Sequence, residues 1–262
     1  MINIKSKAEL EKMKRAGEIS ANALHYGGQC LKDGMSTYEL DKLIHDFIVK
    51  NGAKPSFLGL YGFKGSACIS INDKVIHGIP SKREYIKEGD IVSIDTGAFI
   101  DGFHGDNAFT FPVGKITEEA KLLLERTNDS LYKGIEQAVV GNRVGDISNA
   151  VETYCRSFGY GVVKTFTGHG VGREMHESPE VPNYGAPHRG PRLLAGMVIA
   201  IEPMINVRGD EVFTQPDGWG VLTKTGTLSA HFEHTVAITD DGPVILTKPT
   251  ILGDDFPYRT SL

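Results

Sequence analysis

The spacing of apolar residues along the chain predicts four amphipathic helices. Two of them begin at a serine with glutamate three residues later, Ser6 with Glu9 and Ser36 with Glu39. This pairing is the capping box, which satisfies free N–H groups at a helix N-terminus, and apolar residues recur at helical spacing after each box. The third helix is expected from Thr117 to about Gly141, and the fourth across Ile147, Val151, Cys155 and Phe158.

Six β-rich stretches lie between and after the helices, and two of them form an internal repeat. The run EGDIVSIDTG, from Glu88, resembles AGMVIAIEPM, from Ala195, and an offset of 202 − 95 = 107 superposes Asp95 on Glu202. A second pair of runs, from Asp106 and Glu233, matches at an offset of 233 − 106 = 127. The predicted strands are 67–71, 91–96, 103–113, 162–167, 197–205 and 232–239.

This repeat predicts an α+β protein made of two pseudo-symmetric halves that share one central antiparallel sheet. The halves span about 5–115 and 116–250, and residues 1–262 form a single catalytic domain. Chance similarity between amphipathic segments is an alternative explanation for the helices alone. It explains less well why each half supplies two carboxylates at matching strand positions.

Composition narrows the class of protein. Of 262 residues, 40% are hydrophobic and 23% charged, and the net charge is −5, so the basic excess of a general nucleic-acid binder is missing. The first twenty residues carry no apolar signal segment, and no apolar run approaches the ~20 residues of a membrane span. Three scattered cysteines indicate free thiols in a reducing compartment. These features predict a soluble, cytoplasmic protein.

Four acidic residues and one histidine are the candidate chemistry. Asp95 and Glu202 each end an apolar run, and Asp106 and Glu233 each begin one. Any one of them alone is more often a solvated turn residue. A pseudo-twofold axis would gather all four, and such a cluster repels and is costly to desolvate unless divalent cations bind it. His169, between two glycines, adds a nitrogen donor, although an exposed loop histidine is the commoner outcome.

Other chemistries find no support in the motifs. The glycines around His169 do not form a dinucleotide fingerprint, because Arg173 stands where glycine is required, and no G-x-S-x-G nucleophile elbow occurs. His77, in VIHGIP, and His176, seven residues after His169, lie next to the candidate metal strands. Each could be a structural histidine, but their placement favours contact with a substrate.

The runs IDTGAFIDGFHGDNAFTF, TFTGHGVGREMHESPEVPNYG, AIEPMI and SAHFEHTVAI resemble the signature of type I methionine aminopeptidases, which have the pita-bread fold. The resemblance covers about residues 5–249. Type II enzymes insert a helical subdomain between the last two acidic ligands, and the 31 residues from Glu202 to Glu233 leave no room for it. The start at Met1 is expected to match the short bacterial form.

The resemblance implies a site with two divalent metal ions, which could be Mn, Fe, Co or Zn. Its ligands would be Asp95, Asp106, His169, Glu202 and Glu233, with Asp106 and Glu233 bridging the ions. The implied reaction removes the initiator methionine of nascent proteins when the second residue is small, by attack of metal-activated water on the first peptide bond. The implied catalytic residues are Glu202 as general base, His176 at the oxyanion and His77 at the peptide nitrogen.

The resemblance also implies a methionine pocket in which several residues depart from the usual family pattern. Phe57, Leu60 and Met175 are the departures, and all are apolar side chains that could still hold a thioether. The implied substrate-binding residues are Phe57, Leu60, Tyr61, Phe63, Cys68, His77, Met175, His176 and Trp219.

The partners implied are the N-terminal peptides of nascent proteins, with the ribosome as a further candidate, no nucleic acid, no membrane, and a monomeric protein. Two alternatives are kept. A prolyl dipeptidase shares the five ligands but usually carries a large extra N-terminal domain, and a catalytically inactive peptide-binding protein would be expected to have lost ligands.

Overall fold

The computed structural model describes residues 2–251, so Met1 and residues 252–262 of the predicted domain lie outside the described part. Within that part, four α-helices pack against an antiparallel sheet, which confirms the predicted α+β class. The division into halves at 115/116 stays a prediction. The helices are α1 (Lys7–Cys30), α2 (Thr37–Lys50), α3 (Glu118–Glu136) and α4 (Val144–Ser157), with one 3₁₀ turn at Leu60–Gly62.

The large sheet has nine strands among the residues described, in the order β1-β4-β5-β14-β9-β7-β8, with β2 paired to β4 and β15 to β14. Two three-stranded sheets, β13-β10-β6 and β11-β12-β3, flank it. The strands are β1 (Lys54–Pro55), β2 (Ala67–Ile71), β3 (Lys74–Ile76), β4 (Ile91–Ile100), β5 (Phe103–Pro112), β6 (Gly161–Val162), β7 (Gly168–Gly170), β8 (Glu177–Val181), β9 (Val198–Ile201), β10 (Met204–Asn206), β11 (Val212–Thr214), β12 (Val221–Thr223), β13 (Ser229–His231), β14 (Glu233–Thr239) and β15 (Gly242–Ile245).

Both predicted capping boxes form. The side chains of Ser6 and Ser36 accept the N–H of Glu9 and Glu39, and each glutamate accepts the serine N–H in return. Helix α3 ends earlier than the predicted Gly141. Asn142 donates to the carbonyl oxygen of Gln137 at 3.0 Å, which satisfies a free carbonyl at the helix end and turns the chain before the glycine.

Successive side chains along β4 and β5 point to opposite faces of the sheet, one facing the helices and the other facing the pocket. Asn107 accepts a hydrogen bond from Ser20 of α1 at 2.6 Å, and Ile94 packs in the apolar cluster that includes residues of α1 and α2. Their strand neighbours Asp106 and Asp95 therefore point to the opposite face. The sheet is buried by helices on one side and presents carboxylates on the other.

Two predicted strands were wrong in extent. The stretch 197–205 divides into β9 and β10, which belong to different sheets, because Pro203 lacks an N–H and cannot continue a ladder. Of the stretch 162–167, Val162 alone is in a strand, as the second residue of β6, and the chain enters the main sheet as β7. The division after β9 leaves Glu202 directly after the end of a buried strand, and its side chain is itself buried.

Candidate metal centre

Strand register brings three of the predicted acids together. Ala108 of β5 pairs with Asp95 on one side and with Glu233 on the other. Residues directly opposite in antiparallel strands share a face, and so do residues two apart on one strand. Asp95, Asp106 and Glu233 therefore point to the same side. Asp95 lies in the middle of β4, whereas the sequence reading placed it at a strand end.

Threonine hydroxyls join β5 to β14 and to β13 on the two sides of the Ala108–Glu233 pair. The Thr235 hydroxyl, on β14, donates to the carbonyl oxygen of Asp106 at 2.7 Å and accepts its N–H at 3.1 Å. The Thr110 hydroxyl does the same for His231, the last residue of β13, at 2.8 and 2.9 Å. These side chains replace backbone bonds, so β5 is held to both strands beside the carboxylates without a continuous backbone pairing.

His169 and Glu202 complete the group. His169 Nε2 lies 3.6 Å from Asp106 Oδ2 and 3.6 Å from Glu202 Oε1. Its Nδ1 is 2.9 Å from the carbonyl oxygen of Gly170. A carbonyl only accepts, so Nδ1 carries the proton, and Nε2 is left with a lone pair directed at the acids. A Cβ on Gly168 or Gly170 would clash with the neighbouring strands, at 2.3 and 2.4 Å, which explains the glycines around this histidine.

Burial dominates the electrostatics of the cluster. It raises the pKa of Asp95 to about 7 and that of Glu202 to about 8. Burial, followed by the neighbouring carboxylates, also raises the pKa of Asp106 and of Glu233 well above the ordinary values. Desolvated acids at such distances resist ionising together. The cluster therefore holds protons at neutral pH unless a cation replaces them.

The donor set fits divalent cations. Asp95 Oδ1, Asp106 Oδ1 and Glu233 Oε1 are buried and have no hydrogen-bond partner among the described residues. One ligand atom from each of Asp106, His169 and Glu233 lies within 4.8 Å of the others. Carboxylate oxygens with a neutral imidazole suit several divalent transition ions, and cation binding would satisfy the otherwise costly buried oxygens.

The two further predicted histidines line the same cavity, whose volume is about 550 Å³. The ring of His176 lies 4.4 Å from that of His169, centre to centre. His77 has a left-handed backbone, with φ of 59°, which non-glycine residues rarely adopt. Gly78 follows it because a Cβ there would lie 1.9 Å from the carbonyl oxygen of Ile69. Burial lowers the pKa of His77 to about 4.

An apolar cluster adjoins the acids. Phe57, Phe63, Cys68 and Met175 are buried together, and Leu60 and Trp219 pack against them. The rings of Phe63 and Trp219 meet edge to face at 5.1 Å. Cys68 pairs directly with Asp95 across β2 and β4, which places the apolar wall next to the carboxylates.

All but one of the predicted site residues line this one cavity, and the exception is Met175, which lies behind it in the apolar cluster. The cavity also contains residues that the motifs did not single out. The sequence motifs also did not single out His231, whose Nε2 is 3.7 Å from Glu202 Oε2. His231 is 2% exposed, and its ring nitrogens have no hydrogen-bond partner in the described part of the chain. Its position two residues before Glu233 is the available signal. The further lining residues are Ile76, Phe166, Thr167, Glu177, Ser178 and Glu180.

Comparison with known proteins gives the class. Residues 11–240 match metallopeptidase family M24. A methionine aminopeptidase of Clostridium acetobutylicum is 53% identical over 247 residues, which cover 94% of this chain and 99% of that protein. The crystal structure of a methionine aminopeptidase from Thermotoga maritima has a TM-score of 0.93 at 43% identity, covering 95% of this chain and all of that one. The chain therefore belongs to metallopeptidase family M24, and within it to the methionine aminopeptidases.

The fold is shared more widely than this family. A prolidase from Pyrococcus furiosus has a TM-score of 0.78 at 28% identity, covering 94% of this chain and 65% of that one. Both neighbours have the pita-bread fold, so the predicted fold class and the family resemblance are confirmed. Within residues 2–251, none of the helices has the length and apolar character to cross a membrane.

Proposed function

We propose that this chain removes the N-terminal methionine from newly made proteins whose second residue is small. The observation that carries the proposal is the 53% identity to a methionine aminopeptidase over nearly the full length of both chains. A cavity with acids on one wall and an apolar cluster on the other supports it. Such a cavity suits a substrate whose reacting amide is polar and whose side chain is a thioether.

Metallopeptidase membership implies a divalent metal, and we further propose two ions, held by Asp95, Asp106, His169, Glu202 and Glu233. The unpartnered buried oxygens of three of these residues support the assignment, because two cations need several carboxylates, some of them bridging. Mn, Fe, Co and Zn all suit this donor set. When bound, the ions supply Lewis acidity and lower the pKa of water toward neutrality.

The protein's own residues then move the protons and stabilise charge. Glu202 acts as general base toward the attacking water and returns the proton to the leaving amine. Burial raises its pKa to about 8 in the absence of cations, and a bound cation would favour the ionised form that acts as base. His176 donates to the developing oxyanion. His77, whose ring lies near those of Phe166 and Trp219, contacts the peptide nitrogen.

The apolar cluster is proposed as the site of the methionine side chain. Phe57, Phe63, Cys68 and Met175 form its buried part, and Leu60, Tyr61 and Trp219 lie toward the opening. A thioether makes favourable contacts with aromatic rings and tolerates irregular walls. The departures from the usual family residues at Phe57, Leu60 and Met175 change the shape of the pocket without introducing a charge.

Peptide hydrolysis separates this function from the alternatives. Protein purified without added metal is analysed for bound metals and then reconstituted with each ion in turn. We expect about two ions per chain and hydrolysis of Met-Ala-Ser but not of Ala-Pro. Preference for Ala-Pro would indicate a prolyl dipeptidase, which shares this fold. Metal binding without hydrolysis of either peptide would indicate a binding protein.

We also propose that the protein acts as a monomer in the cytoplasm on N-terminal peptides, with the ribosome as a further candidate partner. Three free cysteines in the described residues, two of them buried, support a reducing compartment. Gel filtration at several concentrations tests the monomer, and cosedimentation with ribosomes tests docking.

A further inference from the structure

The segment that precedes α1 is packed against the end of the pocket that bears His176. Lys5 donates its N–H to the carbonyl oxygen of Gly196 at 2.7 Å. Its side chain forms an ion pair with Glu177, Nζ to Oε2 at 2.6 Å, and both side chains are only 5% exposed. The two residues are 172 positions apart. A buried, long-range ion pair therefore ties the first residues of the chain to the residue that follows His176.

The carboxylate of Glu177 is the point around which the turn at 172–177 folds. Its Oε1 accepts the N–H of Arg173 at 2.9 Å and that of Glu174 at 3.4 Å. Its Oε2 accepts from the side chains of Lys5 and Asn3, the latter at 3.0 Å. A Cβ on residue 172 would lie 2.2 Å from Oε1, so a glycine is needed there for the carboxylate to fit.

The electrostatics of Glu177 agree with this geometry. Burial raises the pKa of Glu177, but hydrogen bonds from Lys5 and Asn3 outweigh it, and the pKa lies below its ordinary value. The carboxylate is therefore ionised and fully engaged. Its oxygens face the backbone of the turn on one side and the Lys5 ammonium on the other.

His176 is carried by this turn. It directly precedes Glu177, and its ring lies against that of His169. Lys5 is not among the residues that line the cavity, whereas Glu177 is. The side-chain contact that leads from Lys5 toward His176 is therefore the ion pair with Glu177. Displacing a catalytic group by about 1 Å can cost about 100-fold in rate, so the precision of this turn matters for turnover.

We propose that Lys5 is a positioning residue for the reaction: by holding the Glu177 carboxylate, it fixes the turn that places His176 at the substrate. The inference rests on the proposed function, since it takes the role of His176 from there. The apolar cluster meets this linkage at Met175 alone, because its other buried members, Phe57, Phe63 and Cys68, lie on other segments of the chain. Loss of Lys5 should therefore lower kcat far more than it raises KM.

The test compares Lys5→Met, Lys5→Arg and a matched control in the full-length, Mn²⁺-loaded protein with Met-Ala-Ser. Lys5→Met should lower kcat by about 10- to 100-fold, and Lys5→Arg should restore most of it. The control is Asp210→Asn, because Asp210 also binds two cationic side chains, Arg156 at 2.6 Å and Lys164 at 3.0 Å, but lies away from the cavity. It should lower the melting temperature and leave kcat unchanged.

A double variant separates positioning from stability. Lys5→Met with Glu177→Met removes both charges, and replacing a buried pair by apolar residues commonly restores stability. The turn would still lack its acceptor, so we expect recovery of the melting temperature without recovery of kcat. Joint recovery of both would overturn the proposal.

Nuclear magnetic resonance of the histidine rings in metal-free protein gives a readout independent of turnover. The His176 resonance, assigned from His176→Ala, should shift in Lys5→Met and return in Lys5→Arg. An unchanged resonance with unchanged kcat would refute the positioning role. If the wild-type protein failed to cleave Met-Ala-Ser, the proposed function would be wrong, and the His176 resonance would still decide whether Lys5 positions this ring.

Discussion

Two sets of buried carboxylates line the same cavity, and they differ in the hydrogen-bond donors around them. Glu177 receives two backbone N–H groups and two side-chain donors, including an ammonium group. Asp106 and Glu233 each have a buried oxygen that finds no donor in the described residues. The pKa of Glu177 is lowered as a result, whereas those of Asp106 and Glu233 are raised well above the ordinary range.

This difference distinguishes a structural carboxylate from the carboxylates proposed as metal ligands. Burial alone does not distinguish them, since the side chains of both sets are removed from water. What differs is whether the chain supplies the compensating charge. For Glu177 it supplies Lys5, and the result is a fixed turn. For the other acids the neighbours are further carboxylates and a neutral imidazole, an arrangement that favours binding of cations from solution.

The largest expected effect on turnover comes from the carboxylates proposed as metal ligands. Glu202→Gln keeps the size of the side chain but removes the proposed base, so kcat should fall by about 10²–10⁴-fold, with weaker metal binding adding to the loss. The variant should remain folded by circular dichroism. Turnover is measured at saturating Mn²⁺. Near-normal kcat under those conditions would show that Glu202 is not the base.

The histidines are expected to have the next largest effect. Neither His77 nor His176 is proposed as a ligand, so His77→Ala and His176→Ala should retain their metal while kcat falls by about 10²–10³-fold, as for loss of a donor to the transition state. Metal content by elemental analysis and kcat are measured on the same samples. A variant that lost metal and regained full rate when metal was added would instead identify a ligand.

The sequence predicts the acidic cluster well and the ion pair of Glu177 poorly. Asp95, Asp106, Glu202 and Glu233 could be found because the internal repeat marks them and each adjoins an apolar strand. The capping boxes at Ser6 and Ser36 fixed two helix starts, because that signal is local.

The interactions that were missed are not local. Lys5 meets Glu177 across 172 positions, and no spacing rule relates them. The sequence does not single out His231, because its approach to Glu202 is a contact between distant parts of the chain. The threonine links at Thr110 and Thr235 depend on the register of two strands more than a hundred residues apart, which periodicity within a single strand cannot give.

Substitutions in the two sets of carboxylates should change the stability of the protein in opposite directions. In metal-free protein at pH 8, Asp106→Asn removes one carboxylate from a crowded acidic cluster and can offer its amide to Glu233, so the melting temperature should rise. Glu177→Gln leaves the Lys5 ammonium buried beside a neutral amide and should cost about 1.5–3 kcal/mol, the value of a hydrogen bond to a charged group. Thermal unfolding of both variants, beside the wild-type protein, measures the difference.

The pH dependence of unfolding provides the control for that prediction. Asp95 and Glu202 have folded pKa values of about 7 and 8, above the ordinary 3.8 and 4.5. Between these limits the folded state holds more protons than the unfolded state, so metal-free stability should fall as pH rises from about 4.5 to 8. The pKa of Glu177 is lowered, so its contribution is lost only on acidification. An increase in metal-free stability across this pH window would contradict the conclusion that burial raises the pKa values of Asp95 and Glu202.

The smallest expected effect concerns the start of the segment that binds Glu177. Family membership and the proposed function predict that Met1 is removed only when the second residue is small. Ile2 is β-branched and has few χ1 rotamers, so it cannot turn away from a tight wall. Forcing it into the site should cost about 1–3 kcal/mol, as for overpacking, or roughly ten- to a hundredfold in kcat/KM. The native protein should therefore keep Met1, and Ile2→Ala should lose it.

Intact mass of both proteins from one host decides this prediction, and kcat with Met-Ala-Ser supplies the control. Ile2 packs against the apolar core and lines the groove beside Ser178 and Pro179, whereas the donors to Glu177 are Asn3 and Lys5. Ile2→Ala should therefore leave kcat unchanged while it changes the mass. Retention of Met1 in the variant, or its loss from the native protein, would show that the selectivity for the second residue is wrong. A fall in kcat would instead show that the apolar contact of Ile2 also contributes to holding the His176 turn, because Ile2 reaches the cavity only through β8.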